Sequence, residues 1–379
     1  MNFQIKPRPH IRGSEGNTRS KNKQMLDAVT HALLFVAAWA IVNRYVLFGM
    51  EAAMHIVLVI ITAVLSGLLA HTVFYLFMDG LEKVQYDSFS ARLKTTWPKT
   101  MMGAPYVTAL IVAMIVRVDV PLYVVGIAVF FSEIFVKLVF GGFGNNIFNP
   151  AAFAFVFITI SYGGTTLTVP YLPDVVSGAT PLAGLNMNGW TMTLQEAYRW
   201  VVTTGGLGRM LVGVVPGAIG ETARLAALIA LVYLIYKKAI DWILPLFYLG
   251  TVFIITLIYG LIIGAGILYP LIHLLTGGVI FEAVFMATDP VTTPINRQGK
   301  AIWAMGLAMF TLLIRFNANH FEGVALSLLL MNMMVPFIDT KTANITTADK
   351  NKKVLSLVLS FVIMTVVVIG FTMLRKAFA

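Results

Sequence analysis

From Asp27 onward the chain is a succession of apolar runs divided by short polar stretches. In the first half these are Asp27–Phe48, Ala53–Phe77, Met101–Val116, Pro121–Phe140 and Ala151–Tyr162. The second half has Leu207–Val215, Thr222–Tyr236, Trp242–Gly264, Ile267–Met286, Ala301–Ile314 and Gly323–Ile338, with Val354–Leu374 at the end. Several approach the roughly 20 residues that carry a helix across a bilayer. Lipid offers no partner to a backbone N–H or C=O, so such runs must close their hydrogen bonds internally, as helices. Only 12% of residues are charged, against roughly 25% in a soluble domain. The expectation is an all-α, polytopic membrane protein of about 10–11 transmembrane helices.

Charge sets the orientation. The net charge of +10 does not mark a nucleic-acid binder, because the basic residues gather in tails and short loops beside the apolar runs. That is the positive-inside pattern. Residues 1–27 hold Lys6, Arg8, Arg12, Arg19, Lys21 and Lys23 and read as a cytoplasmic tail near the lipid headgroups. The tail has no apolar core of signal-peptide length. Residues 164–206 are polar, Gly-rich and nearly free of Lys and Arg, which places them outside. Five runs precede this external loop, so the second half should be inverted relative to the first. The expected organisation is one five-helix repeat over 28–163, a second over 207–340, and a cytoplasmic loop with an extra C-terminal helix over 341–379. The absence of cysteine excludes disulfides, thiolate iron–sulfur ligation and cysteine catalysis.

Each half is interrupted by glycine, proline and asparagine or aspartate where a helix should continue. Broken helices in matching positions of inverted halves point to a buried ligand site. The first break, Gly-Gly-Phe-Gly-Asn-Asn-Ile-Phe-Asn-Pro at 141–150, carries Asn145, Asn146 and Asn149. Their amides suit a heterocycle edge of alternating donors and acceptors, or the cap of the next helix. Asp289, in Ala-Thr-Asp-Pro-Val-Thr-Thr-Pro at 287–294, has three roles open to it: receiving a ring N–H, binding a cation, or capping. Glu221, in Gly-Ala-Ile-Gly-Glu-Thr at 217–222, either favours a helix N-terminus or marks amides that receive an anion. Glu133 and Lys137 share a helix face within a run. With Glu282 and Asp339 they are the candidates for an ion path, since ionisable groups inside spans are functional by default. His71 and His273 read as satisfied core residues, and no metal-ligand spacing is present. There is no P-loop, dinucleotide fingerprint or hydrolytic triad.

One stretch of the external loop stands apart: Asp174-Val-Val-Ser-Gly-Ala-Thr-Pro-Leu. Gly178 permits a sharp bend, Ser177 and Thr180 offer hydroxyls, and Pro181 keeps Thr180 out of helix. On these residues alone it is an ordinary polar turn.

With Pro9-His-Ile-Arg12, the breaks at 141–151, 217–222 and 285–291, and Pro-Phe-Ile-Asp339, that turn resembles the RnfD/NqrB family, most closely its RnfD branch. These are membrane flavoprotein subunits of ion-pumping electron-transport complexes. The resemblance covers nearly the whole chain and implies FMN joined to Thr180 through a phosphoester, attached outside the membrane by a flavin transferase. Asp174, Ser177, Gly178 and Ala179 belong to the attachment pattern. It further implies a second, non-covalent flavin such as riboflavin on the cytoplasmic side, with Asn146, Asn149 and Asp289 at the matching positions. The expected function is to pass electrons between flavins across a bacterial or archaeal cytoplasmic membrane, coupled to Na+ or H+. Other membrane and peripheral subunits, and a quinone, are the partners implied. The chain is not expected to oxidise NADH alone. The alternative is a channel or transporter for a small polar solute with a urea-transporter-like fold, which the broken helices would also suit.

Overall fold

A computed structural model of the chain describes residues 15–82, 86–118, 120–166, 190–214, 217–317, 323–343 and 350–378. The attachment turn at 174–180, with Asp174, Ser177, Gly178, Ala179 and Thr180, lies outside these residues. Within them every regular element is a helix and none is a strand. The first half comprises α1 (Glu15–Phe48), α2 (Met50–Leu81), α3 (Phe89–Met102), α4 (Pro105–Ile115), α5 (Leu122–Ser132) and α6 (Pro150–Thr166). Between the halves lies α7 (Leu194–Thr203), within the segment 164–206, and α8 (Leu207–Val212) follows it. The second half comprises α9 (Arg224–Tyr236), α10 (Ile243–Ile262), α11 (Leu268–Leu274), α12 (Val279–Phe281), α13 (Arg297–Asn317), α14 (Val324–Thr342) and α15 (Lys350–Phe378).

Among the described residues, six helices are long and apolar enough to cross a bilayer, or eight if each bent pair forms one span. The chain is a multi-pass membrane protein. The remaining apolar runs fold as shorter helices: α6 has 17 residues and α9 has 13. Fewer full-length spans than the expected ten or eleven result from breaks buried in protein. Irregular backbone is tolerated there because other protein groups satisfy it.

The bent pairs are α3 with α4, at 56°, and α11 with α12, at 65°. The first bend has a local cause. Ala104 is left-handed (φ 47°) and Pro105 opens α4, so the helix restarts in a new direction. Gly103 leaves room for the imidazole of His71 from α2: a Cβ at 103 would stand 2.3 Å from His71 Cε1. α2 packs on both α4 and α5, whereas α10 packs on α11 and α13. Outside the membrane core, α7 starts from a capping box in which Thr193 Oγ1 receives the Glu196 N–H and Glu196 receives that of Thr193.

Two helices end in wider π-helical turns, Glu133–Leu138 after α5 and Glu282–Met286 after α12. Such turns recur at functional sites. The C-terminal helix runs alongside α13 in the same direction. Asn317 Nδ2 donates to Thr372 Oγ1 (3.4 Å), Arg375 Nη1 to the Phe316 carbonyl (2.7 Å), and Gln298 to Ser356 at the other end. Only 11% of its apolar window is buried, so its remaining surface faces lipid.

Gly103→Ala should force His71 from its place and cost about 1–3 kcal/mol, as overpacking does. Introduced into a His71→Ala background, where the imidazole is already gone, Gly103→Ala should cost little further, read as thermal unfolding in detergent.

Candidate functional site

The two π-helical turns lead into the two polar breaks, and the breaks meet. In the first, Asn149 caps α6 by accepting from the N–H groups of Ala151 (3.0 Å) and Ala152 (3.2 Å). In the second, Asp289 Oδ1 accepts from the Val291 N–H (3.0 Å) and Oδ2 from Thr292 Oγ1 (3.0 Å). Asn149 Nδ2 reaches across to the Met286 carbonyl (3.5 Å). Asn332, on α14, ties both breaks: its Oδ1 accepts from the Asn149 N–H (2.9 Å), and its Nδ2 donates to the Thr292 carbonyl (3.1 Å). Capping is therefore a role that Asn149 does perform, whereas Asp289 braces the irregular segment before α13 rather than a helix start.

Between the breaks lies a small cavity of about 90 Å³, open at its mouth. Val107 and Ile111 of α4, Val29 of α1 and Phe285 of the second π turn give it apolar walls. Its polar edge is Lys137, Asn146, Asn149, Thr288 and Asp289. Three residues singled out in sequence for one ligand thus share a wall although nearly half the chain separates them. Asn146 Nδ2 donates to the Phe148 carbonyl (2.9 Å). Apolar walls with a few convergent polar groups are the make-up of a small-molecule site. A second hollow of about 340 Å³ shares Ala239, Ile240, Thr288 and Pro290 with it. Lys238, Arg297 and Lys300 line that hollow, and Lys300 pairs with Asp241 (2.8 Å).

Behind Lys137 lies a charged cluster. Glu133 has no solvent exposure. Its Oε2 is 2.6 Å from His71 Nε2 and 3.2 Å from Lys137 Nζ, and Lys137 also reaches Thr108 Oγ1 (3.3 Å). His71, which reads in sequence as a satisfied core residue, is thus the second partner of a buried carboxylate. Lone polar residues in apolar runs were the available signal for it and for Asn332.

The other candidates fall elsewhere. Glu282 is fully buried and bonds to Tyr248 of α10, away from the cavity. Asp339 is half-buried at the end of α14, where its Oδ1 accepts from the Ile295 N–H (2.9 Å) and braces the second break. It does not join Glu133 and Lys137. Glu221 is buried, and its Oε2 accepts from the Ala218 N–H (3.2 Å). The neighbouring amides are also spent: Ile219 donates to Val116, Gly220 to Met114, Thr222 to Ala218 and Ala223 to Gly220. The anion-receiving reading of this loop fails for that reason. His273 is buried with neither ring nitrogen hydrogen-bonded, so it is packed rather than satisfied. Its ring lies 4.4 Å from Tyr269, 5.2 Å from Phe316 and 5.6 Å from Trp190, between ring centres. Tyr269 donates to the Trp190 carbonyl (2.9 Å). Among the described residues no group of His, Asp and Glu could hold a metal.

Glu133→Ala should strand Lys137 without its carboxylate and cost about 3–5 kcal/mol, the usual penalty for breaking a buried pair. Adding Lys137→Met should restore most of that stability in denaturant titrations.

Comparison with known proteins places this arrangement. The chain is 34% identical over 349 residues to a subunit of the proton-translocating ferredoxin:NAD(+) oxidoreductase complex of Clostridium ljungdahlii, covering 90% of this chain and 94% of that one. It is 35% identical over 238 residues to a subunit of the Na(+)-translocating ferredoxin:NAD(+) oxidoreductase complex of Acetobacterium woodii, covering 62% and 70%. It is 31% identical over 243 residues to a subunit of the Na(+)-translocating NADH-quinone reductase of Chromohalobacter salexigens, covering 62% and 57%. The family described as NQR2, RnfD, RnfE matches residues 4–348. The chain belongs to the NQR2, RnfD, RnfE family.

Proposed function

We propose that this chain is the flavin-carrying membrane subunit of an ion-translocating oxidoreductase complex, active only together with its partner subunits. The observation that carries the reading is the cavity in which Asn146, Asn149 and Asp289 converge from two distant helix breaks. The names of the relatives, which are subunits of ferredoxin- and NADH-linked ion-translocating complexes, favour a redox role over a solute channel.

In this reading Thr180 is an anchor. Its Oγ holds the phosphate of FMN, and Asp174, Ser177, Gly178 and Ala179 present the threonine to a flavin transferase. The cavity takes a second, non-covalent flavin, riboflavin or a close relative. Bound flavins supply one- and two-electron redox chemistry, while the protein positions and tunes them. Asn146 and Asp289 meet the polar edge of the ring, and Val107, Ile111 and Phe285 exclude water from its faces. Lys137 adds positive charge at that edge, which favours a reduced, more negative ring. Glu133, Lys137 and Glu282 are the buried ionisable groups along which Na+ or H+ movement is coupled. The two halves, 28–163 and 207–340, act as inverted repeats with the external loop 164–206 between them. Each half contains one bent pair, as such a repeat would require.

Expressed with its transferase and run on a denaturing gel under ultraviolet light, the wild-type chain should give a fluorescent band, and Thr180→Ala should give none. A dark wild-type band would overturn covalent attachment. Native Thr180→Ala protein should still release flavin on denaturation. Adding Asn146→Ala and Asp289→Ala should lower that released flavin at least tenfold.

A further inference from the structure

The two π-helical turns each open on a glutamate without solvent exposure, Glu133 and Glu282. Their charges are handled in opposite ways. Glu133 has a cationic partner within the protein, Lys137 at 3.2 Å, and the His71 imidazole at hydrogen-bond distance, 2.6 Å. Glu282 meets hydroxyl groups. Its Oε2 accepts from the Tyr248 hydroxyl, and its Oε1 has no hydrogen-bond partner. No ion pair among the described residues includes it. The groups facing it are Tyr248 of α10, Thr311 and Arg315 of α13, and Ser327 of α14. Arg315 acts on Glu282 only through space. Its guanidinium donates to the carbonyls of His273 (2.9 Å) and Thr276 (3.5 Å). An ionised carboxylate buried without a contacting cation is costly, and such a group takes up a proton instead.

A sodium ion would need several oxygens converging on one point. The hydroxyls here are strung in a line: Tyr248 to Thr311 is 3.2 Å and Thr311 to Ser327 is 2.8 Å. Thr311 also bonds the Leu307 carbonyl (2.8 Å) and Ser327 that of Val324 (2.7 Å), which holds each away from a common centre. Ser327 lies in the first turn of α14, the end that the charge pattern places on the outer side.

We propose that Glu282 carries a proton at neutral pH and exchanges it through a hydroxyl relay of Tyr248, Thr311 and Ser327 toward the outer end of α14. The inference rests on the ion-translocating reading for its purpose but not for its chemistry. At rest the Tyr248, Thr311 and Ser327 hydroxyls donate to Glu282, the Leu307 carbonyl and the Val324 carbonyl, so each passage begins with the three turning along the line. The Glu282 proton then moves to Tyr248 Oη, that of Tyr248 to Thr311 Oγ1 and that of Thr311 to Ser327 Oγ. Ser327 is fully buried, so its own proton leaves to a water admitted at the first turn of α14. Only O–H bonds form and break, and no electrons are exchanged.

Infrared spectroscopy of the purified full-length chain, flavins in place, tests this directly. The spectrum of wild type minus Glu282→Gln at neutral pH should contain the C=O stretch of a carboxylic acid. Tyr248→Phe should move that band to higher frequency without abolishing it, because a hydrogen bond to the carboxyl is lost. Raising NaCl a hundredfold should leave the band in place. In deuterated buffer, Ser327→Ala should slow its isotope shift several-fold. Absence of the band, or its removal by sodium, would overturn the proton site. An unchanged exchange rate in Ser327→Ala would overturn the relay. Visible absorbance of the same samples reports bound flavin and correct folding. A flavin-free wild type that shows the band would sink the redox reading and leave the proton site standing.

Discussion

The hydrogen bonds of Asn332 hold together the part of the molecule on which the rest depends. Within a bilayer no water is available to satisfy a broken helix. This chain breaks two helices at one place and lets each repair the other. The Asn332 amide takes the N–H of Asn149 and donates to the carbonyl of Thr292, joining the breaks at 2.9 and 3.1 Å. Asn149 then caps α6 with its own side chain. A buried amide with its bonds made is stable, and one left unmade is expensive. The seam sets the two breaks side by side, and residues of both line the cavity.

The paired π-helical turns show how similar sequence features diverge in a packed setting. Both place a glutamate where an extra residue widens the helix. Around Glu133 the neighbours are His71, Lys137 and Thr108, so the carboxylate is paired within the protein and Lys137 still reaches the cavity edge. Glu282 touches the Tyr248 hydroxyl instead, and the guanidinium facing it, Arg315, is turned to backbone carbonyls. The contrast follows from the facing helices rather than from the glutamates. α2 offers an imidazole where α10 offers a phenol.

Much of the architecture was legible in the sequence because lipid imposes one solution on long apolar runs. The helical class, the breaks and the membrane assignment all follow from that constraint. Asn146, Asn149 and Asp289, read together from the sequence, line one cavity, as polar residues at helix breaks have few places to go. What escaped was pairing across helices. His71 looked like a core residue because its partner Glu133 lies far along the chain. Asn332 was passed over as one amide in Leu-Leu-Leu-Met-Asn-Met-Met. The Glu221 loop looked like an anion nest because its amides seemed open. Met114 and Val116 of the α4 end, invisible to local reading, occupy two of them.

The aromatic clasp around Trp190 sets a length as well as a fold. Trp190 is held by Tyr269 at its carbonyl and by His273 and Phe316 at its ring, so the chain is fixed at that residue. Thr180 precedes it by ten residues. A fully extended chain of that length spans at most about 35 Å. Wherever the intervening residues run, the Thr180 Cα therefore lies no farther from the clasp than a distance close to the roughly 30 Å thickness of a bilayer core.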